Sequence, residues 1–150
     1  MGYTHYWGMT PPKRGEAAKV ERAYQRAVKE CTKVIRAFQS TANDWDRLSG
    51  YSAHCKPGQY GGVFFNGKGD QAHDNFVLRE HYSQNISGGF CKTAQKAYDV
   101  VVTACLIILN KHLKKNVNVA SDGRLENWTD GQDLVRRVLH KMYEIPKNVE

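Results

Sequence analysis

The strongest constraint on the fold is an almost uninterrupted apolar stretch, residues 100–109, which reads VVVTACLIIL. A helix that is apolar on nearly every side is stable only when other elements surround it. The stretch is also much shorter than the roughly 20 apolar residues that a membrane-spanning helix needs. The sequence therefore predicts a central, buried helix from about Lys96 to Lys114, around which the other elements pack.

The remaining elements are predicted from shorter patterns. A first helix, about Gly15 to Ser40, and a last helix, capped by Thr129 or Asp130 and bounded by Pro146, carry apolar residues at helical spacing. Aromatic and β-branched runs predict strands at 1–7, 63–65, 76–82, 90–93 and 116–120. The order β, α, β, β, β, α, β, α predicts one α+β domain over residues 1–150, with a mostly antiparallel sheet and three helices, one of them central and buried.

Charge and cysteine usage restrict the class of partner and the compartment. A net charge of +7 and a pI near 9.3 favour anionic partners. The chain shows neither a membrane-spanning stretch nor the layout of a signal peptide, so the prediction is a cytoplasmic protein with no membrane partner.

Four cysteines without a CxxC pair predict no disulfide framework, with Cys55 and Cys91 in loops. The loop predicted from Thr41 to Tyr60 includes His54-Cys55-Lys56, whose spacing indicates neither a metal site nor a thiol site.

The first helix also carries basic residues on the side opposite its apolar stripe. They recur at 3,4,3,4,3 spacing and form the set Lys19, Arg22, Arg26, Lys29, Lys33 and Arg36. At 1.5 Å per residue this basic face extends about 26 Å, which suits a surface that follows a phosphate backbone. The alternative is an ordinary solvated helix face, partly neutralised by Glu21 and Glu30.

Polar side chains concentrate in three predicted turns. The first joins two apolar runs as Asn66-Gly67-Lys68-Gly69-Asp70, and His73 and Asp74 follow closely. His73 with Asp70 could serve as an acid/base pair or as metal ligands, and His5 could join them. Lys92 and Thr93 precede the central helix, where a cation, a hydroxyl and free N–H groups suit phosphate, unless Thr93 merely caps the helix. The third turn is Ser121-Asp122-Gly123.

The blocks MGYTHYW, FFNGKGDQAHDNF, FCKT with AYDVVVTACLIIL, and VASDG resemble those of a family of small proteins from bacteria and their phages. The resemblance covers most of the chain. It implies a phage or prophage origin and a host-cell cytoplasmic location, and it implies no particular activity. Because the shared polar blocks lie in turns, they supply the candidate site residues: Tyr3, His5, Tyr6, Trp7, Asn66, Asp70, His73, Lys92, Thr93, Ser121 and Asp122.

Three hypotheses follow for the function. The first is a module that binds a small anionic, nucleotide-like ligand. In this hypothesis Lys68, Lys92 and Thr93 hold phosphate, and Tyr6 and Trp7 stack on a ring of the ligand. Asn66 and Asp122 form hydrogen bonds with its polar groups. In a phage, such a protein would act against host defence by sequestering a signal. The second is a nucleic-acid-binding protein that uses the basic face of the first helix. The third is a small hydrolase or lyase that uses His73 with Asp70. The sequence favours binding over catalysis, predicts neither cofactor nor metal, and leaves homo-oligomerisation open.

Overall fold

The computed structural model describes residues 2–49 and 62–150 and shows the predicted α+β fold. Among these residues the helices are α1 (Ala17–Thr41), α2 (Asp99–Leu113) and α3 (Leu125–Leu139). The strands are β1 (Thr4–Met9), β2 (Leu48–Ser49), β3 (Val63–Gly67), β4 (Phe76–Leu78), β5 (Gly89–Lys92) and β6 (Val117–Ser121). Short 3₁₀ turns occupy Gly69–Gln71, Tyr82–Asn85 and Lys114–Asn116.

Helix α2 is the central element, as the apolar stretch predicts. Every residue from Val101 to Leu109 is buried, and the helix packs against α1, α3 and β6. Helix α3 approaches it closely at Gly131, where a Cβ atom would lie 2.1 Å from the Thr103 hydroxyl. The burial on all sides explains why the sequence of α2 shows no polar face.

The strands form two small antiparallel sheets. One has the order β5-β1-β6 and the other has the order β2-β3-β4. Trp7 of β1 and Phe76 of β4 lie in the shared core, with ring centroids 5.1 Å apart. The sheets also meet where the Asp74 carboxylate accepts the Lys92 N–H at 2.9 Å. The hairpin of β3 and β4 therefore lies against the edge of the first sheet at β5.

Helix α1 is amphipathic as predicted, with Val20, Tyr24, Cys31 and Val34 buried against the core. The opposite face is open to solvent, and all six residues of the predicted basic face are exposed. The helix begins and ends within two residues of the predicted bounds. The 3.6-residue periodicity of its apolar residues was therefore sufficient to locate it.

Three local predictions are corrected by tertiary contacts. The predicted strand 76–82 ends at Leu78, because Tyr82 turns inward and its hydroxyl donates to the carbonyls of Thr10 and Asn116 at 2.6 and 2.8 Å. Helix α3 begins at Leu125, four residues before the predicted cap, where the Asn127 side chain accepts the Arg124 N–H at 2.9 Å. Cys91 lies in β5, within the predicted strand 90–93, so its separate assignment to a loop was wrong.

Several sequence predictions fall outside the described residues. These are Met1 of the first strand, Gly61, and the part of the predicted loop from Gly50 to Tyr60, including His54, Cys55 and Lys56. Within residues 2–49 and 62–150, the structure contains no helix long and apolar enough to cross a membrane.

Candidate functional site

The first sheet brings together three of the polar blocks that are far apart in the sequence. Thr4 lies opposite Lys92 in the β1–β5 register, and His5 lies opposite Ser121 in the β1–β6 register. The predicted residues Tyr3, His5, Thr93, Ser121 and Asp122 thus meet at one end of this sheet. We call the hydrogen-bonded group around His5 the His5 cluster.

The centre of the His5 cluster is a chain of three side chains from β6, β1 and α2. His5 is fully buried, with Nδ1 2.8 Å from Ser121 Oγ and Nε2 2.6 Å from Asp99 Oδ1. Thr93 donates its hydroxyl to the same carboxylate oxygen at 2.6 Å. This connectivity resembles the Ser-His-Asp relay of hydrolases. Whether the group can be catalytic or has only a structural role depends on the hydrogen bonds that the serine oxygen already makes.

Ser121 Oγ is fully engaged. It accepts the Gly123 N–H at 2.8 Å and the Trp128 indole N–H at 3.3 Å. The Asp99 carboxylate is an acceptor, so His5 Nε2 carries the proton and Nδ1 accepts the serine hydroxyl. One donor and two acceptors exhaust the hydrogen-bonding capacity of a hydroxyl. The serine therefore holds β6, α3 and His5 together, and it has no lone pair directed at a substrate.

Of the two residues predicted to hold phosphate before the central helix, Thr93 lies inside the protein and Lys92 is half-buried at the end of β5. Thr93 is fully buried, and α2 begins only at Asp99 after a loop that turns back through Ala94 and Gln95, both with positive φ (51° and 58°). The anionic side chain in the first turn of α2 is that of Asp99 itself, and the Thr93 hydroxyl is committed to it. A carboxylate already occupies the position where a phosphate would accept from Thr93, so like-charge repulsion opposes a second anion there.

Tyr3 and Asp122 complete the His5 cluster. Asp122 accepts the Thr4 N–H at 3.1 Å and returns its own N–H to the Thr4 carbonyl at 2.9 Å. The Tyr3 hydroxyl is buried next to Gly123, where a Cβ would lie 2.4 Å from it, and has no hydrogen-bond partner among the described residues. Burial raises the pKa of the Tyr3 phenol, and the carboxylates of Asp99 and Asp122 raise it further.

Of the two rings predicted to stack on a ligand, only Tyr6 reaches the surface. Trp7 is 6% exposed and packs in the core, so it cannot stack on a ligand without leaving that core. Tyr6 is 44% exposed on the opposite face of the sheet and lies directly across from the exposed Phe90. Tyr3, His5 and Trp7 are buried and Tyr6 is exposed, so Tyr6 and Trp7 do not lie on the same surface, and their predicted joint stacking role is corrected.

The predicted hairpin turn is a longer loop organised by Asn66. Its side chain accepts the N–H groups of Gly67 and His73 at 2.7 and 3.0 Å and donates to the His73 carbonyl at 2.8 Å. Asn66 is thus committed to the loop itself. Lys68, Asp70 and His73 are exposed, and His73 Nδ1 is 3.5 Å from Asp74 Oδ1. No group of three histidine, cysteine or carboxylate side chains suited to a metal occurs among the described residues.

A different concentration of charge lies at the other end of α2. A cleft of 470 Å³, here called the helix-end cleft, separates the first half of α1 from residues 111–116. Lys19 and Arg26 of the basic face line one wall, and the other wall carries three lysines, Lys111, Lys114 and Lys115. We call these three the α2-end lysines. Two chain segments almost 100 residues apart therefore direct five cations into one groove.

The α2-end lysines also border a second cleft. This C-terminal cleft has a volume of 680 Å³ and lies between residues 110–115, the β6 residues 117–119 and the segment 142–148. Lys147 adds a fourth lysine, and Glu144 is the carboxylate among its lining residues. The two clefts thus share one wall of three lysines.

The acidic residues of α1, Glu21 and Glu30, are bonded to other elements and not to the cations of its basic face. Glu21 accepts from His81 and from the Tyr82 N–H at 2.9 and 2.8 Å. Glu30 accepts from His112 at 2.6 Å and lies 3.6 Å from Lys141 Nζ. Partial burial alone would raise the pKa of both carboxyl groups, but these hydrogen bonds and neighbouring charges outweigh it and hold each pKa below its usual range.

The cations of the basic face are therefore unpaired among the described residues. None of its six cations forms an ion pair within the described part of the chain, although other cations of the protein do: Arg47, Arg136, Arg137 and Lys141. Glu21 and Glu30 lower the net charge of this side of the protein, as predicted, but neither is ion-paired with a cation of the basic face. Each glutamate instead ties α1 to another element.

Sequence reasoning missed the convergence of charge because it lies between elements. His112, Lys114 and Lys115 are explained equally well as residues that suit the negative end of a helix dipole. The available signal was the cluster of cations directly after a buried helix. That signal does not reveal which other surface the cluster faces.

Comparison of the chain with family models, with curated proteins and with solved structures gave no match. The resemblance to small bacterial and phage proteins, and the phage origin it implies, stay predictions.

Proposed function

We propose that the protein binds nucleic acid through the basic face of α1 and the adjoining helix-end cleft. The observation that carries the proposal is the convergence of Lys19 and Arg26 with the α2-end lysines in one groove. A solvated helix face accounts for one row of cations. It gives no reason for cations of a second element to line the same groove.

The dimensions support a polyanion as the partner. The basic face of α1 extends about 26 Å, and successive phosphates of one duplex strand are about 3.4 Å apart along the axis. The face therefore matches roughly seven to eight nucleotides of one strand. All six of its side chains are exposed, so each can reach a phosphate without a change in the core.

The electrostatic balance also favours phosphate in the helix-end cleft. The carboxyl end of α2 carries the equivalent of about half a negative charge, which repels anions. Three lysines at this end and two cations from α1 exceed that charge several-fold. Glu16 is the carboxylate among the lining residues of this cleft. The net charge of +7 adds long-range attraction for any nucleic acid.

The test is the salt dependence of binding to short single-stranded and duplex oligonucleotides, measured by fluorescence anisotropy. Six phosphate contacts predict a slope of log K against log salt of about −5 on duplex DNA. The triple variant Arg22→Glu, Arg26→Glu, Lys29→Glu should bind about 100-fold more weakly. Its salt slope should be smaller in magnitude by about three.

A matched control reverses three charges elsewhere: Lys68→Glu, Lys92→Glu and Arg124→Glu. It changes the net charge by the same amount, and it alters Lys68 and Lys92, the two lysines that the sequence predicts to hold phosphate. We expect it to bind nucleic acid within about threefold of wild type, since long-range effects are screened beyond about 10 Å. An equal loss in both triple variants, or no binding by the wild type at low salt, would overturn the proposal.

A further inference from the structure

We propose that the C-terminal cleft is a separate site for a small polyphosphate anion, with a nucleoside triphosphate as the fitting ligand class. This inference goes beyond nucleic-acid binding, because it concerns a different cleft and a small molecule. It also relocates the nucleotide-like ligand predicted from the sequence, away from Lys92 and Thr93 and towards the carboxyl end of α2.

The shape of the cleft suits such a ligand. Its 680 Å³ lies within the range of roughly 300–1,000 Å³ that is usual for small-molecule sites. The helix-end cleft, at 470 Å³, lies in the same range, but Lys19 and Arg26 of the basic face line one of its walls, and the basic face extends beyond it along α1. The C-terminal cleft is instead bounded on three sides, by the end of α2, by β6 and by the segment 142–148.

The charge of the walls selects for phosphate. The four lining lysines, Lys111, Lys114, Lys115 and Lys147, are all exposed and take part in no ion pair among the described residues. Lys111 Nζ lies 5.7 Å from the centroid of the Tyr143 ring, a cation–π contact between two residues that line the cleft. Against these cations stand Glu144 and about half a negative charge from the helix dipole, so the cleft has a surplus of about two to three positive charges.

The uncharged lining residues suit the rest of a nucleotide. The amide side chains of Asn110, Asn118 and Asn148 line the cleft, where Asn148 donates one of its two N–H groups to Asn118. Met142 is 65% exposed and presents an apolar surface on which a base could lie. A sugar-linked base with a polyphosphate tail therefore finds an apolar contact, hydrogen-bonding amides and four lysines in one cleft.

The segment that closes the cleft is held in place, which lowers the entropy lost on binding. Tyr143 is 5% exposed, and its hydroxyl donates to Glu30 of α1 at 2.9 Å. Gln132 of α3 donates to the Tyr143 carbonyl at 2.9 Å, and the Glu150 carbonyl accepts the Leu125 N–H at 2.8 Å. The cleft is thus preformed between fixed elements.

The test is isothermal titration of the full chain with ATP, inorganic triphosphate and adenosine. We expect ATP and triphosphate to bind and adenosine to bind at least tenfold more weakly. Lys147 lines the C-terminal cleft but not the helix-end cleft. Lys147→Gln should therefore weaken ATP binding about five- to tenfold and leave oligonucleotide binding unchanged. Arg26 lines the helix-end cleft but not the C-terminal cleft, so Arg26→Gln is the matched control. It should weaken oligonucleotide binding and leave ATP binding unchanged.

The double variant Lys114→Gln, Lys115→Gln alters the shared wall and should weaken both ligands. Thermal unfolding of each variant shows whether it is folded. If ATP and triphosphate do not bind at millimolar concentration, or if Arg26→Gln weakens ATP while Lys147→Gln does not, the C-terminal site is refuted. Oligonucleotide binding is measured separately, so failure of either proposal leaves the other one testable.

Discussion

The His5 cluster and the basic surface formed by α1 and the α2-end lysines gather residues from distant parts of the chain in opposite ways. In the His5 cluster the polar side chains face one another, and His5, Ser121 and Asp99 complete each other's hydrogen bonds inside the protein. On the basic surface, side chains of like charge face solvent, and the nearby carboxylates are bonded elsewhere.

The difference shows what distinguishes a structural polar cluster from a binding surface. A buried polar group is tolerated when partners within the fold satisfy it, and a satisfied group offers nothing to a ligand. Uncompensated like charges weaken the folded state through mutual repulsion. Such an arrangement is more readily explained by an external partner of opposite charge than by a contribution to stability.

The largest effect is expected from replacing His5, which tests whether the His5 cluster is structural. Replacement by alanine leaves the Asp99 carboxylate buried with only the Thr93 hydroxyl bonded to it, so we expect a loss of about 3 kcal/mol in the free energy of unfolding. Urea denaturation measures it. Asp99→Asn keeps an oxygen able to face His5 and should lose less. If His5→Ala proves as stable as wild type, the cluster is not structural and a catalytic role has to be reconsidered.

Glu30 tests the claim that the carboxylates of α1 serve the fold and not the surface. Because its folded pKa lies below the unfolded value, its contribution to stability is present above pH 4–5 and is lost as the pH falls through the folded pKa. Glu30→Gln should therefore destabilise the protein by about 1–3 kcal/mol at pH 7. The difference from wild type should shrink at pH 3. A difference that grows towards low pH would contradict this assignment.

Replacement of Tyr3, which belongs to the same cluster, is expected to change the free energy of unfolding least and in the opposite direction to His5→Ala. Its buried hydroxyl has no partner among the described residues, so Tyr3→Phe should leave the free energy of unfolding unchanged or raise it by about 1 kcal/mol. The matched control is Tyr98→Phe, which removes a hydroxyl that donates to the Asp74 carbonyl at 2.7 Å and should lose about 1 kcal/mol. Equal losses in both variants would show that Tyr3 has a partner after all.

The same contrast separates what the sequence predicted about the site from what it missed. All three polar turns were expected to converge with the strand at 3–7. Tyr3, His5, Thr93, Ser121 and Asp122 do meet, whereas Asn66 is bonded within its own loop. Their roles were not predictable, because a polar residue in a turn looks the same in sequence whether it faces a ligand or a neighbouring side chain. Asp99, the acceptor for both His5 and Thr93, was not among the candidates, since it lies at the start of an apolar helix.

By itself the sequence determined the α+β class, the amphipathic α1 with its exposed basic face and the burial of α2, because periodicity and hydrophobicity are local properties of the chain. Tertiary structure alone decided that the side chains of His5, Ser121 and Asp99 bond to one another, and that the α2-end lysines line the same cleft as Lys19 and Arg26. Those outcomes depend on which surfaces approach each other. Hydrogen bonding and electrostatics act through space, and the order of residues does not record the distances over which they act.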